Sequence, residues 1–185
     1  MILLIIGLLV FSIVHIAIGL PGMRVKLHHR FGPWMVRLVV TTGSLVGLLI
    51  MIKGYSWAQF YPLWAPLAFG KELASVLMPV AMVLLVAAYV PNHLKRYTAH
   101  PMLWGVVLWA VSHLAVRGDL ASLILFGGLG SYALIAMGLA FVRGVRPSEQ
   151  SHAMIWDGVT VLLGLTLYGA LLVFHPNLFG VSVFS

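Results

Sequence analysis

In a chain of 185 residues, 62% are hydrophobic and 8% charged, whereas soluble domains run about 45–50% apolar and about 25% charged, so this sequence lacks the polar skin that a soluble fold must present to water. It contains no cysteine, which excludes disulfides, zinc–thiolate sites, iron–sulfur clusters and thiol nucleophiles. The net charge of +7 is spread through short loops between apolar runs, a distribution that suits membrane orientation and speaks against nucleic acid as a partner.

The pattern predicts an all-α, polytopic transmembrane helical bundle of about six spans, forming one domain over residues 1–185. A spanning helix needs about 20 mostly apolar residues, because the hydrocarbon core is about 30 Å thick. The first span is Met1 to Leu20, stopped by Pro21-Gly22. It has neither a basic leading region nor a small-residue cleavage site, so it is expected to stay attached. The second runs from about Trp34 to Ile52, with Gly43 and Gly47 spaced for close helix approach. The third, from about Glu72 to Val90, contains Pro79, which removes one backbone hydrogen bond and predicts a kink. His100-Pro101 opens a short fourth span ending near Arg117-Gly118-Asp119. The fifth follows at once, from about Leu120 to Val142, with Gly127, Gly128 and Gly130 thinning one face. The sixth begins near Ile155 and ends at His175-Pro176. The shortness of the fourth span leaves the crossing number between five and seven, with six the reading adopted.

With six spans, Arg24, Lys26, Arg30, Arg37, Lys95, Arg96, Arg143 and Arg146 fall at one end of the bundle, and Lys53, Lys71 and Arg117 at the other. The positive-inside rule then places both termini on the non-cytoplasmic face. No internal symmetry of the kind transporters show is visible.

The chain has 4 carboxylates and 8 histidines. Glu72, Asp119, Glu149 and Asp157 all lie at span ends, where Glu72 and Asp157 favour the positive end of a helix dipole. A carboxylate-driven proton path or paired-carboxylate metal site is not expected. His28, His29, His93 and His152 lie in the basic loops and read as solvated or lipid-facing. His15, His100, His113 and His175 lie in or at the edge of spans, where a polar side chain is costly and marks function or an interhelical hydrogen bond. His15 shares a helical stripe with Phe11, Ser12, Leu8 and Gly19, and His113 shares one with Trp109, Val106 and Met102. Imidazole among aromatic and sulfur-bearing neighbours suits an iron porphyrin, with His/His, His/Met or one histidine and an open position as the axial set. The same stripes also suit plain packing.

The stretch His100-Pro101-Met102-Leu103, Trp109, Ser112-His113-Leu114 and Arg117 to Gly128 resembles the signature of the NnrU family. Further matches are His15 to Pro21, Met78-Pro79 to Tyr89-Val90-Pro91, and His175 to Val181, so the resemblance covers nearly the whole chain. It implies a multi-pass protein of the bacterial inner membrane associated with nitrite and nitric oxide reduction, with denitrification proteins as partners. The family is similar to zeta-carotene isomerase, which uses haem b in a redox-dependent double-bond isomerisation. By that resemblance His15 and His113 are the axial ligands; Trp109, Arg117 and His175 are further cofactor-binding candidates read from helix geometry rather than from the resemblance. Where the isomerase has a cysteine one turn before its second ligand, this chain has Ala110, so a switch to thiolate ligation is excluded.

Helix geometry raises an objection to that pair. At 1.5 Å per residue, His15 lies about 8 Å and His113 about 18 Å from the basic ends of their spans, a mismatch of about 10 Å. His175 lies toward the same end as His113 and is the alternative partner. His100 cannot share an iron with His113, being turned about 140° away and shifted about 20 Å. Arg117, one turn beyond His113, is placed either to pair with a haem propionate or to cap its helix and pair with Asp119. Two other functions compete with a haem-b redox protein or isomerase: a cofactor-free scaffold or chaperone, and a small transporter. The bilayer is the expected environment in every case, and a homo-oligomer is compatible with each.

Overall fold

The structure is a computed structural model and describes residues 1–180. The expected bundle is what the chain forms. Its helices are α1 (Ile2–Gly19), α2 (Met23–Ser56), α3 (Gly70–Ala87), α4 (Pro101–Val116), α5 (Leu120–Val142) and α6 (Ile155–Phe179). Five of them are long and apolar enough to cross a membrane; α4, with 16 residues, is the short one. Large apolar side chains such as Ile13, Leu45, Leu49 and Leu162 stand on the outside of the bundle, as contact with lipid requires. Val181, which closes the last family motif, lies outside the described residues.

The chain alternates direction, so that the basic loops collect at one end and the 57–69 loop with the 117–119 turn at the other. The segment before the second span is not the loop expected from its charges. It is helical from Met23, and α2 breaks only at Gly32, whose φ of 78° is left-handed and closed to most other residues, just before Pro33. His28 and His29 therefore lie on a short basic helix. α3 stays helical through Pro79.

Small residues set the packing. α1 and α2 touch backbone to backbone: a Cβ on Gly47 would come within 2.8 Å of the Phe11 nitrogen, and one on Gly43 within 2.9 Å of the Val14 side chain. Leu4, Met51 and Ala121 form the buried core beside them, with Phe11 and Tyr55 packed against it. α5 is wedged between α1 and α4. Leu8 lies on Gly128 and Phe11 on Tyr132, while Ala110 of α4 lies on Gly130. Positions two residues apart on a helix are about 200° apart, so α1 and α4 meet opposite faces of α5.

α5 is not uniform. An α-turn, Leu120–Ser122, leads into a π-helical segment, Leu123–Gly127, before regular helix resumes at Gly128. Such insertions are uncommon and concentrate at functional sites.

α4 is short because another segment completes its end. A helix leaves its last carbonyls without partners, and at membrane depth no water replaces them. Here the Leu67 N–H donates to the Ala115 carbonyl at 2.9 Å, and the Leu63 and Trp64 N–H groups donate to the Gly118 carbonyl at 2.7 and 3.1 Å. In return, the Leu120 N–H donates to the Tyr61 carbonyl at 2.9 Å. The aromatic 57–69 loop is thus laced to the end of α4 through its backbone.

Candidate functional site

The densest meeting of the residues singled out from sequence lies at the end away from the basic loops, around His113. Its Nδ1 lies 2.8 Å from the Trp109 carbonyl one turn back. A carbonyl only accepts, so Nδ1 carries a proton, and in the neutral imidazole Nε2 keeps its lone pair. Carbonyl bonding of one ring nitrogen is the arrangement that orients a histidine for ligation through the other. The imidazole stacks on Phe126, with centroids 4.3 Å apart and planes within 18°. Trp109 closes the cluster at 5.0 Å from His113 and 4.8 Å from Phe126. The π-helical segment is what brings Phe126 there. Its ring covers the face of the imidazole.

Arg117 and His175 both lie within electrostatic reach of His113. The structure therefore brings together four of the five expected site residues: His113, Trp109, Arg117 and His175. The fifth stands apart. His15 packs on Phe11 at 4.3 Å and on Tyr132 at 5.6 Å, across the opposite face of α5. It too donates Nδ1–H to the carbonyl four residues back, Phe11 O at 2.8 Å, and Ser44 Oγ stands 3.5 Å from its Nε2. Phe126 and Tyr132, the α5 residues that meet the two histidines, are separated by about 9 Å of helix rise, in keeping with the depth mismatch read from the sequence. One iron between His15 and His113 would require α5 to move aside.

Arg117 donates Nε–H to Asp119 Oδ2 at 3.2 Å, the ion pair expected from the sequence. Sequence reasoning missed what Asp119 does beyond that. Its carboxylate is buried and accepts from the Ser122 N–H at 3.0 Å and the Ser122 hydroxyl at 2.7 Å. That hydroxyl has one proton, already directed to the carboxylate, so Tyr55 must be the donor in its 3.0 Å contact with Ser122 Oγ. The result is a directed chain from Tyr55 through Ser122 to Asp119, met from the far side by Arg117. Burial pushes the Asp119 carboxyl up, but the Ser122 bonds and the Arg117 charge outweigh it and hold the group below its ordinary value. Tyr55 also meets Phe126 edge-on at 6.1 Å, joining the polar chain to the histidine cluster. The Asp-x-x-Ser spacing of a helix start was the available signal in the sequence.

His93, read from the sequence as solvated or lipid-facing, is instead held by a carboxylate. His93 donates Nδ1–H to Asp157 Oδ2 at 2.6 Å and its backbone N–H to Oδ1 at 2.8 Å, while its Nε2 accepts from the His152 N–H at 3.4 Å. Asp157 opens α6 as expected, and in addition fastens the 93–96 turn to it. His100 precedes α4 at the basic end, within electrostatic reach of Arg143 and remote from His113 along the helix. Among the described residues, no three histidine, aspartate or glutamate side chains group as a metal site; two axial ligands on a porphyrin need no such group.

Against protein families, the model described as NnrU protein matches residues 3–183, nearly the whole length. Compared with curated proteins, the chain matches none, and compared with solved structures it also matches none.

Proposed function

The chain belongs to the NnrU family, and from that premise we propose that it is a haem-b-binding redox protein of the bacterial inner membrane, in which His113 and His175 would hold the haem. The observation that supports this reading is the state of His113: one nitrogen tied to the Trp109 carbonyl, the other unprotonated in the neutral imidazole, in an apolar aromatic wall. The donor chemistry fits the group, since imidazole nitrogens ligate haem iron and an apolar wall shields a macrocycle. Bound haem would supply a one-electron iron couple. His113 and His175 would hold it, and Arg117, whose charge reaches His113, would balance a propionate while remaining tied to Asp119. The bonds from Ser122 and Arg117 keep Asp119 anionic and Arg117 oriented. Service beside nitrite- or nitric-oxide-reducing enzymes is part of this proposal and rests on the resemblance described above; isomerase-like chemistry is the narrower version of the same reading.

A cofactor-free scaffold is the second reading, favoured by the Arg117–Asp119 pair, which gives Arg117 a role without a propionate. An absorption spectrum separates the two. Protein expressed with ample haem and purified gently should show a Soret band that shifts on reduction; a colourless protein with intact helicity would leave the scaffold reading.

A further inference from the structure

The basic end of the bundle has a cavity of about 390 Å³ that the haem reading does not use. Its polar edge is Lys95, His100, Arg146 and Ser148, and its wall is Met102, Leu103 and Tyr132. Four parts of the chain converge to make it: the turn after α3, the start of α4, the middle of α5 at Tyr132, and the loop after α5.

Among the described residues no cation of this cavity is ion-paired with a carboxylate: the pairs His93–Asp157 and Arg117–Asp119 involve none of them. Lys95 Nζ donates one proton to the Val90 carbonyl at 3.1 Å, and an ammonium has two more. The Arg146 guanidinium, exposed at the rim, lies 5.8 Å from the Phe141 ring. Arg143, anchored through Nη1 to the Gly19 carbonyl at 2.7 Å, adds its field at His100.

The start of α4 adds to the same potential. Pro101 is its first residue and no side chain caps it, so the first-turn N–H groups of Met102 and Leu103, both lining the cavity, lie at the positive end of the helix dipole. Meanwhile Ser148 is held in place by its N–H, which donates to the Lys95 carbonyl at 2.8 Å. A concave site with a lysine, an arginine, a histidine and a hydroxyl at its edge, and methionine and leucine behind them, matches an anionic oxygen group joined to an apolar body.

We propose that this cavity binds a phosphate group, delivered either as the headgroup of an anionic phospholipid or as a free phosphate. Basic pockets between helices at a membrane interface bind acidic headgroups by this chemistry. The proposal is independent of haem, since the cavity and His113 lie at opposite ends of α4.

The test uses the full-length protein, purified in neutral detergent, with phosphatidylglycerol, phosphatidylcholine and inorganic phosphate as probes. Bound lipid is counted by native mass spectrometry, and phosphate binding is read by calorimetry and by the shift in thermal midpoint. The expected result is saturable binding of phosphatidylglycerol but not phosphatidylcholine, weakened at least about fivefold by Arg146→Gln. Arg30→Gln, an exposed cation on the short basic helix away from the cavity, serves as the control and should leave binding unchanged. If inorganic phosphate binds alone with the same loss in Arg146→Gln, the site holds and its ligand is a solute. The proposal is overturned if neither probe saturates, if Arg146→Gln and Ser148→Ala both bind as the wild type does, or if Arg30→Gln weakens binding as much as Arg146→Gln. Circular dichroism on each variant separates lost binding from lost fold.

Discussion

The Phe126 ring lies parallel to the His113 imidazole, 4.3 Å away, and it reaches that position from a π-helical turn of the neighbouring helix. The stack fixes the ring of His113 in the plane that its bond to Trp109 selects. Phe126 is buried, at 6% exposure. Phe126→Ala should cost about 3–5 kcal/mol, the usual range for deleting a buried aromatic ring. Thermal unfolding in detergent checks this, and a shift of under a degree would show that the stack is incidental.

Ligand assignment can be read from three variants of the haem-loaded protein. His113→Ala should abolish tight binding. His175→Ala should convert a low-spin spectrum to high-spin, and His15→Ala should leave it unchanged, because α5 stands between His15 and His113. The reverse outcome for His15 and His175 would mean that α5 is displaced when haem is present. Wild-type spectra in all three variants would dispose of the site.

Asp119 is expected to govern stability in acid. Its carboxyl sits below the ordinary value of 3.8 in the folded protein. A depressed folded-state pKa lends stability that is fully present above 3.8 and is lost as the pH falls through the folded-state value. Asp119→Asn should lower the thermal midpoint at neutral pH, with a cost of about 1–3 kcal/mol for the broken buried bonds. It should also flatten the fall in midpoint below about pH 4. Midpoints measured from pH 7 down to pH 3 test both, and parallel curves for the two proteins would contradict the assignment.

Gly118 has no room for a side chain, since a Cβ there would collide with the Trp64 carbonyl, a backbone atom that cannot swing away. Gly118→Ala should therefore push the 57–69 loop off the end of α4 and destabilise the protein by about 1–3 kcal/mol, as overpacking commonly does. Faster amide exchange at Leu63, Trp64 and Leu67 would be the local sign. Unchanged exchange at those three amides would count against the lacing described above.

Topology is open to direct measurement because the chain has no cysteine of its own. Single cysteines at Ser56 and Gln150, both exposed and at opposite ends of the bundle, should label from opposite sides of the membrane, with Gln150→Cys on the cytoplasmic side. Labelling of both from one side would refute the six-crossing arrangement.

Much of the bundle was legible because hydropathy reports burial in lipid directly: the limits of α5 were read from Leu120 and Val142, and those of α1 from Met1 and Pro21. Charge misled at Met23–Phe31, where Arg24, Lys26 and Arg30 read as a loop although nothing before Gly32 stops a helix. The candidate site was half legible. His113 and Trp109 lie on one helix and helical spacing alone relates them, whereas Arg117 falls just past the end of that helix in extended backbone, where helical spacing no longer places it. Phe126 was not legible, because a one-residue expansion of the helical turn has no periodic signature. Nor was Tyr55, since its partner Ser122 is 67 residues away in sequence. His93 escaped for the same reason: a basic loop looks solvated until the folded chain brings Asp157 against it.

The lacing of the 57–69 loop to α4 also bears on how the protein is made. At 16 residues, α4 rises about 24 Å, short of the roughly 30 Å hydrocarbon layer. Entering the bilayer alone, it would leave its terminal carbonyls in hydrocarbon without donors. The donors belong to residues 63–67, which precede α4 and leave the ribosome first. A nascent chain thus holds the complement of its weakest span before that span is synthesised, and α3, the connecting turn and α4 should enter the membrane as one unit, docking beneath a loop already waiting on the far side.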